Sequence, residues 1–155
     1  MSGVSDAAGG AAGPSPGDRH GTPHRVVNPP TLAAPVGFAH AVVSVPGRTV
    51  HLAGQTAQRP DGTIIGPGLV EQFDQALANL LEAMRAAGAE PGHLVALNVY
   101  TTDVAAYRDN LKPLGAAYRR HLGRHYPAMA LFGVSGLLAP EAKVELLGTA
   151  VIPDP

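Results

Sequence analysis

The strand-like runs of this chain are apolar on both faces, and only two amphipathic helical patterns are available to cover them. Val50-His-Leu-Ala53, Ala128-Met-Ala-Leu-Phe132 and Val144-Glu-Leu-Leu147 lack the clean apolar/polar alternation of a half-solvated sheet. Two helices can pack on one face of such a sheet; the other face still needs cover. Charged residues make up only 15% of the chain, below the ~25% usual for soluble domains. The natural cover is therefore a further copy of the same chain.

The order of elements follows from local pattern. Phe38–Ser44 and Thr49–Gln55 are β-rich runs joined by Pro46-Gly47-Arg48, which predicts a hairpin. Asp61-Gly62 predicts a tight turn, and Thr63–Ile65 a short strand. Residues Leu69–Ala87 place Val70, Phe73, Leu77, Leu80, Leu81 and Met84 on one helical stripe, with Gly88 fit for the C′ position and Pro91 beyond it. Leu94–Thr102 alternates as a strand. Asp103 is a fitting N-cap for a second helix to about Leu122, with Pro113 implying a break inside it. Met129–Val134 and Lys143–Ile152 read as two closing strands. The sum, β-β-(β)-α-β-α-β-β, is an α+β domain with a mixed sheet.

Residues 1–25 read as a disordered Gly/Pro/Ala-rich tail, and 26–155 as the domain. The first 30 residues hold 6 Gly and 5 Pro and no Leu, Ile or aromatic residue, too little apolar surface to offset chain entropy. His20 and His24 fall in that tail and read as solvated linker. No run of 18 apolar residues predicts a membrane-spanning helix, and no signal-peptide core is visible, so a cytoplasmic location is expected. Cysteine is absent, which excludes thiol catalysis and disulfides. The net charge of −1 and the lack of a basic aromatic patch argue against nucleic acid as a partner.

Few motifs carry chemistry on their own. Gly133-Val-Ser135-Gly136 fails as a nucleophile elbow, because Leu137 stands where that motif requires glycine. Gly66-Pro67-Gly68 lacks the spacing and lysine of a phosphate loop and reads as a helix-starting turn. His121 and His125 stand four apart, but with Arg119, Arg120 and Arg124 they read as the polar end of the second helix rather than a metal site. Glu145 lies inside an apolar strand. It either faces solvent beside Lys143 or faces a cleft, where a desolvated carboxylate would suit general acid–base work. Gln55, after Gly54, reads as a loop-capping amide.

Taken together, Phe38-Ala-His-Ala-Val42, Leu52-Ala-Gly-Gln55, Glu71-Gln72, Asn79-Leu80, Ala87-Gly88, Pro127-Ala128 and Val144-Glu145 resemble, in order and spacing, the RidA/YjgF (reactive intermediate deaminase) family over about Asn28–Ile152. The resemblance implies a chorismate-mutase-like protomer in a homotrimer whose sheets line a central barrel. It implies ligand clefts between subunits, and hydrolysis of enamines and imines without metal or organic cofactor. Some family members are also described as ribonucleases or translation inhibitors, a role the charge does not favour here.

Carried over by residue, Glu145 matches the family glutamate that helps position water, and Gly54 and Gln55 match the loop beside the site. Other positions depart. The family arginine that holds a substrate carboxylate is Met129; the serine before Gly54 is Ala53; the tyrosine is Phe38; the asparagine of the second helix is Gly115. With Leu131 two residues beyond Met129, these are the expected substrate-binding positions. Loss of the arginine predicts a neutral or hydrophobic small-molecule substrate, with Phe38 and Phe132 as further apolar candidates for the cleft. Two functions follow: a divergent hydrolase or deaminase using Glu145, or a non-catalytic trimeric ligand-binding or interaction protein on the same scaffold.

Overall fold

The computed structural model describes residues 21–155. The expected tail up to residue 20, His20 included, lies outside the described residues. Six strands and three helices follow in the order β1 (Arg25–Val27), β2 (Ala41–Val43), β3 (Gly47–His51), α1 (Leu69–Ala86), β4 (Leu94–Thr101), α2 (Val104–Asp109), α3 (Leu111–Leu122), β5 (Ala128–Gly133) and β6 (Val144–Pro153). The main sheet has the order β3-β6-β4-β5, with β4 and β5 parallel and the other pairs antiparallel. This is the expected α+β architecture.

Helix α1 forms because its stripe has a sheet to bury it. Phe73, Leu77, Leu80, Leu81 and Met84 are all buried, packed with Leu94, Leu97, Val99, Val144 and Leu146 of β4 and β6 and with Leu114, Tyr118 and Leu122 of α3. The helix ends as Gly88 predicts. Gly88 takes a positive φ of 81°, its N–H donates to Arg85 and that of Ala89 to Met84, which satisfies the last carbonyls. Asp103 caps α2 through the N–H of Ala106 at 2.8 Å. The second helix breaks at Asn110, where α2 gives way to α3, rather than at Pro113. Pro113 sits in the first turn of α3, where no backbone donor is missed.

Two expectations are corrected. The runs around β2 and β3 do not form a hairpin: β2 pairs with β1 in a two-stranded ribbon, and β3 joins the edge of the main sheet beside β6. Thr63–Ile65 contributes one isolated bridge, Gln58 to Ile64, instead of a strand. His24 is a further correction. It is buried, donates from Nε2 to the Val151 carbonyl at 3.1 Å and accepts at Nδ1 from the N–H of Val45 at 3.3 Å. It ties the start of the described chain to β6.

Two side chains of α1 hold the loops around the sheet's end. The fully buried amide of Gln72 donates to the carbonyls of Gly66 (2.8 Å) and Glu141 (3.0 Å) and accepts from the N–H of Lys143 (2.8 Å). Asn79 donates to the carbonyls of Thr56 and Gln58, both at 2.9 Å, which fixes the segment after Gln55. Among the described residues no helix is long and apolar enough to cross a membrane.

All helices lie on one side of the main sheet. Leu97, Val99, Leu146 and Ala150 point into the core. Alternation turns Tyr100, Glu145, Leu147 and Phe132 to the other side, where Leu147 and Phe132 are 40% and 45% exposed.

Candidate functional site

The expected site residues divide between the two faces of the sheet. Glu145 stands opposite Tyr100 in the β4–β6 register, on the face without helices. With Gly54, Tyr100, Leu137 and Leu147 it lines a cavity of about 260 Å³. The sequence left open whether Glu145 meets solvent or a cleft; it borders an open, largely apolar cavity, half-buried. Gly54 makes room for it, because a β-carbon at that position would displace the Glu145 carboxylate. The loop is pinned there: Gln55 exchanges two 2.8 Å backbone hydrogen bonds with Leu146, next to Glu145. The Gln55 amide caps the exposed Ala53 carbonyl at 3.3 Å, as a loop amide should.

Met129 is on the opposite face. It stands across from Leu97 in the parallel β4–β5 register and packs against the core. It lines a cavity of about 360 Å³ between α3, the Val36-Gly37 segment and the start of β5. Gly115 and Arg119 of α3 line the same cavity, with Tyr107, Tyr118 and Tyr126. The rings of Tyr118 and Tyr126 stack at 5.1 Å. The Tyr118 hydroxyl donates to the His125 carbonyl at 2.7 Å. Burial raises the pKa of both Tyr118 and Tyr107 above the ordinary tyrosine value.

The other expected residues are scattered around these two cavities. Phe38 lines a smaller adjoining hollow of about 180 Å³, which shares Gly37 and Tyr126 with the Met129 cavity. Leu131 lies on the outer strand β5 and borders none of these three cavities. Phe132 is not in the Met129 cavity either; it stacks on Tyr100 at 5.4 Å on the helix-free face. The two histidines of α3's end part company. His121 donates to Asp74 at 2.8 Å, while His125 is buried and reaches the Leu94 carbonyl at 2.7 Å. His125 therefore belongs to the interior, not to a solvated helix end.

Sequence reasoning missed Arg119, Tyr100 and the tyrosine walls. Arg119 was visible only as one of a basic run. Its i, i+4 relation to Gly115 puts both on one helical face, and that was the available signal.

A mixed four-stranded sheet with helices on one side, and a glutamate bedded against a glycine loop on the other, defines a small α+β protein of the RidA/YjgF fold. A family model described as endoribonuclease L-PSP matches residues 30–152, and the chain belongs to that family. It is similar to a Rid-family protein of unknown function from Yersinia pestis, with 37% identity, a TM-score of 0.76 and coverage of 83% of this chain and 98% of that one. RidA from an Antarctic Psychrobacter is similar at 26% identity and TM-score 0.60, covering 82% and 98%. Among sequence relatives, the 2-iminobutanoate/2-iminopropanoate deaminases of goat (Capra hircus) and mouse (Mus musculus) are 27% and 28% identical over 128 residues. That span is 82% of this chain and 89% and 90% of theirs.

Proposed function

We propose that this chain hydrolyses a small imine or enamine, releasing ammonia, at a cleft completed by a neighbouring subunit of a homotrimer. The observation that carries the reading is the Glu145 carboxylate held over Gly54 in an open cavity. In the reaction, water adds to the imine carbon while Glu145 orients it and accepts its proton. Glu145 returns that proton to the nitrogen, giving a carbinolamine; the new hydroxyl then gives its proton to the nitrogen as the C–N bond breaks, so that ammonia leaves and the oxygen stays on the carbon as a carbonyl. The names of the goat and mouse relatives support imine carbons of this kind.

The need for a second subunit rests on two features. The Glu145 cavity and the Met129 cavity lie on opposite faces of one sheet, so a single chain cannot present both to one small molecule. The helix-free face also exposes Leu147 and Phe132, which a second copy would cover.

The test is hydrolysis of 2-iminobutanoate and of a neutral imine by wild type and Glu145→Gln, followed by ammonia release. Turnover of at least one substrate that falls in the variant is expected. A rate on both that is indifferent to Glu145 would overturn the assignment.

A further inference from the structure

Resting on the imine-hydrolase reading, we propose that Arg119 is the carboxylate-binding residue of this chain, so that its substrate is a small 2-imino acid with an apolar side chain. The strand position that carries Met129 offers no charge. Arg119 brings a guanidinium to the same cavity from the other wall.

Three observations converge on Arg119. The first is its direction. Side chains on a helix lean toward its N-terminus over the residue four positions earlier. Here the Arg119 guanidinium folds back until Nη1 lies 3.3 Å from where a β-carbon of Gly115 would stand. Gly115 is thus not only a missing polar group; it is the space that lets the guanidinium lie against the cavity. The second is its lack of a partner. Arg120 and His121 both engage Asp74, at 3.0 and 2.8 Å, whereas Arg119 has no carboxylate partner among the described residues. The third is the character of the walls. Phe73, Leu111, Leu114, Met129 and the three tyrosines leave Arg119 as the one charged side chain among the described residues lining the cavity.

Those features select a ligand. One guanidinium matches one carboxylate through two parallel hydrogen bonds. A phosphate dianion would want more donors than this wall supplies. A volume of about 360 Å³ with apolar walls accommodates a short aliphatic or aromatic substituent beside the carboxylate. This proposal stands against the expectation of a neutral substrate, which rested on the loss of polarity at Met129, Phe38, Ala53 and Gly115.

The experiment compares full-length wild type, Arg119→Gln, Arg119→Lys and Gly115→Leu on 2-iminobutanoate and on a neutral imine of the same size. A separate readout is equilibrium binding of 2-oxobutanoate, the stable hydrolysis product. Arg119 is exposed, so the two Arg119 variants should keep the wild-type Tm. Arg119→Gln is expected to raise KM for 2-iminobutanoate about tenfold or more and to weaken 2-oxobutanoate equally, with kcat and the neutral imine little changed. Arg119→Lys should recover part of the loss, and Gly115→Leu should reproduce it by filling the guanidinium's space. Glu145-dependent turnover with no effect of Arg119 on KM or on 2-oxobutanoate binding would overturn the assignment while leaving the hydrolase reading intact. Arg119-dependent binding of 2-oxobutanoate without Glu145-dependent turnover would support the carboxylate site and remove the hydrolase.

Discussion

Gly54→Ala should separate catalysis from stability. A β-carbon at position 54 would collide with Glu145 Oε1 and would stand 2.9 Å from Cδ and 3.2 Å from Cγ of the same side chain. Carbon pairs rest at about 3.5–4.0 Å, so the carboxyl group must retreat by about 1 Å. The obstacle is the mobile end of one side chain bordering an open cavity, so the fold accommodates it by a rotamer change costing at most about 1.5 kcal/mol. Catalysis is less tolerant. A misplacement of about 1 Å at a reacting group costs about 10²-fold in rate, or roughly 2.7 kcal/mol of barrier. The assay is steady-state ammonia release from 2-iminobutanoate, with Tm measured on the same preparations. A kcat lowered about a hundredfold at nearly constant Tm is expected. Wild-type kcat in the variant would refute the argument that the carboxylate's position against the loop matters.

Other consequences can be checked independently. Gln72→Leu removes all three hydrogen bonds of the buried amide, two to carbonyls and one from an N–H, and should cost about 2–4 kcal/mol in urea unfolding; a loss below 1 kcal/mol, on the order of one ordinary hydrogen bond, would mean the loops are held by something else. Desolvation lowers the pKa of His24 from 6.5, so the unfolded state binds the extra proton first. Stability should be fullest above about pH 6.5 and decline as pH falls through the window below it. His24→Gln should flatten that part of the urea-midpoint profile, and an unchanged profile would count against buried His24 as its source. Leu147→Asp puts a charge on the helix-free face and should shift sedimentation from the proposed trimer toward monomer; a variant that sediments like wild type would leave that face outside the assembly.

Much of the fold was legible because it depends on local chemistry. The stripe from Val70 to Met84, the Gly88 terminus and the Asp103 cap each act within a few residues of themselves. What failed was pairing over distance. The β2 and β3 runs were recognisable as strands, but their partners, β1 and β6, are chosen by the whole sheet. His24 is buried by a hydrogen bond to Val151, 127 residues away, which no local pattern announces. Glu145 and Gly54 were legible by resemblance, yet what the glycine at position 54 makes room for became clear only from the carboxylate lying over it. Arg119 was hidden inside a run of cations whose members turn out to face different neighbours. A helical charge run gives composition; only geometry says which charge is left unmatched.

The opposite-face placement of Glu145 and Arg119 makes the proposed cleft genetically divisible. Each subunit would contribute a different half to two different sites. Chains carrying Glu145→Gln and chains carrying Arg119→Gln, dissociated together and reassembled, should therefore complement one another. Random mixing at equal amounts would restore about one site in four to wild-type composition. Glu145→Gln mixed with Gly54→Ala should restore none, because both lesions fall in the same half.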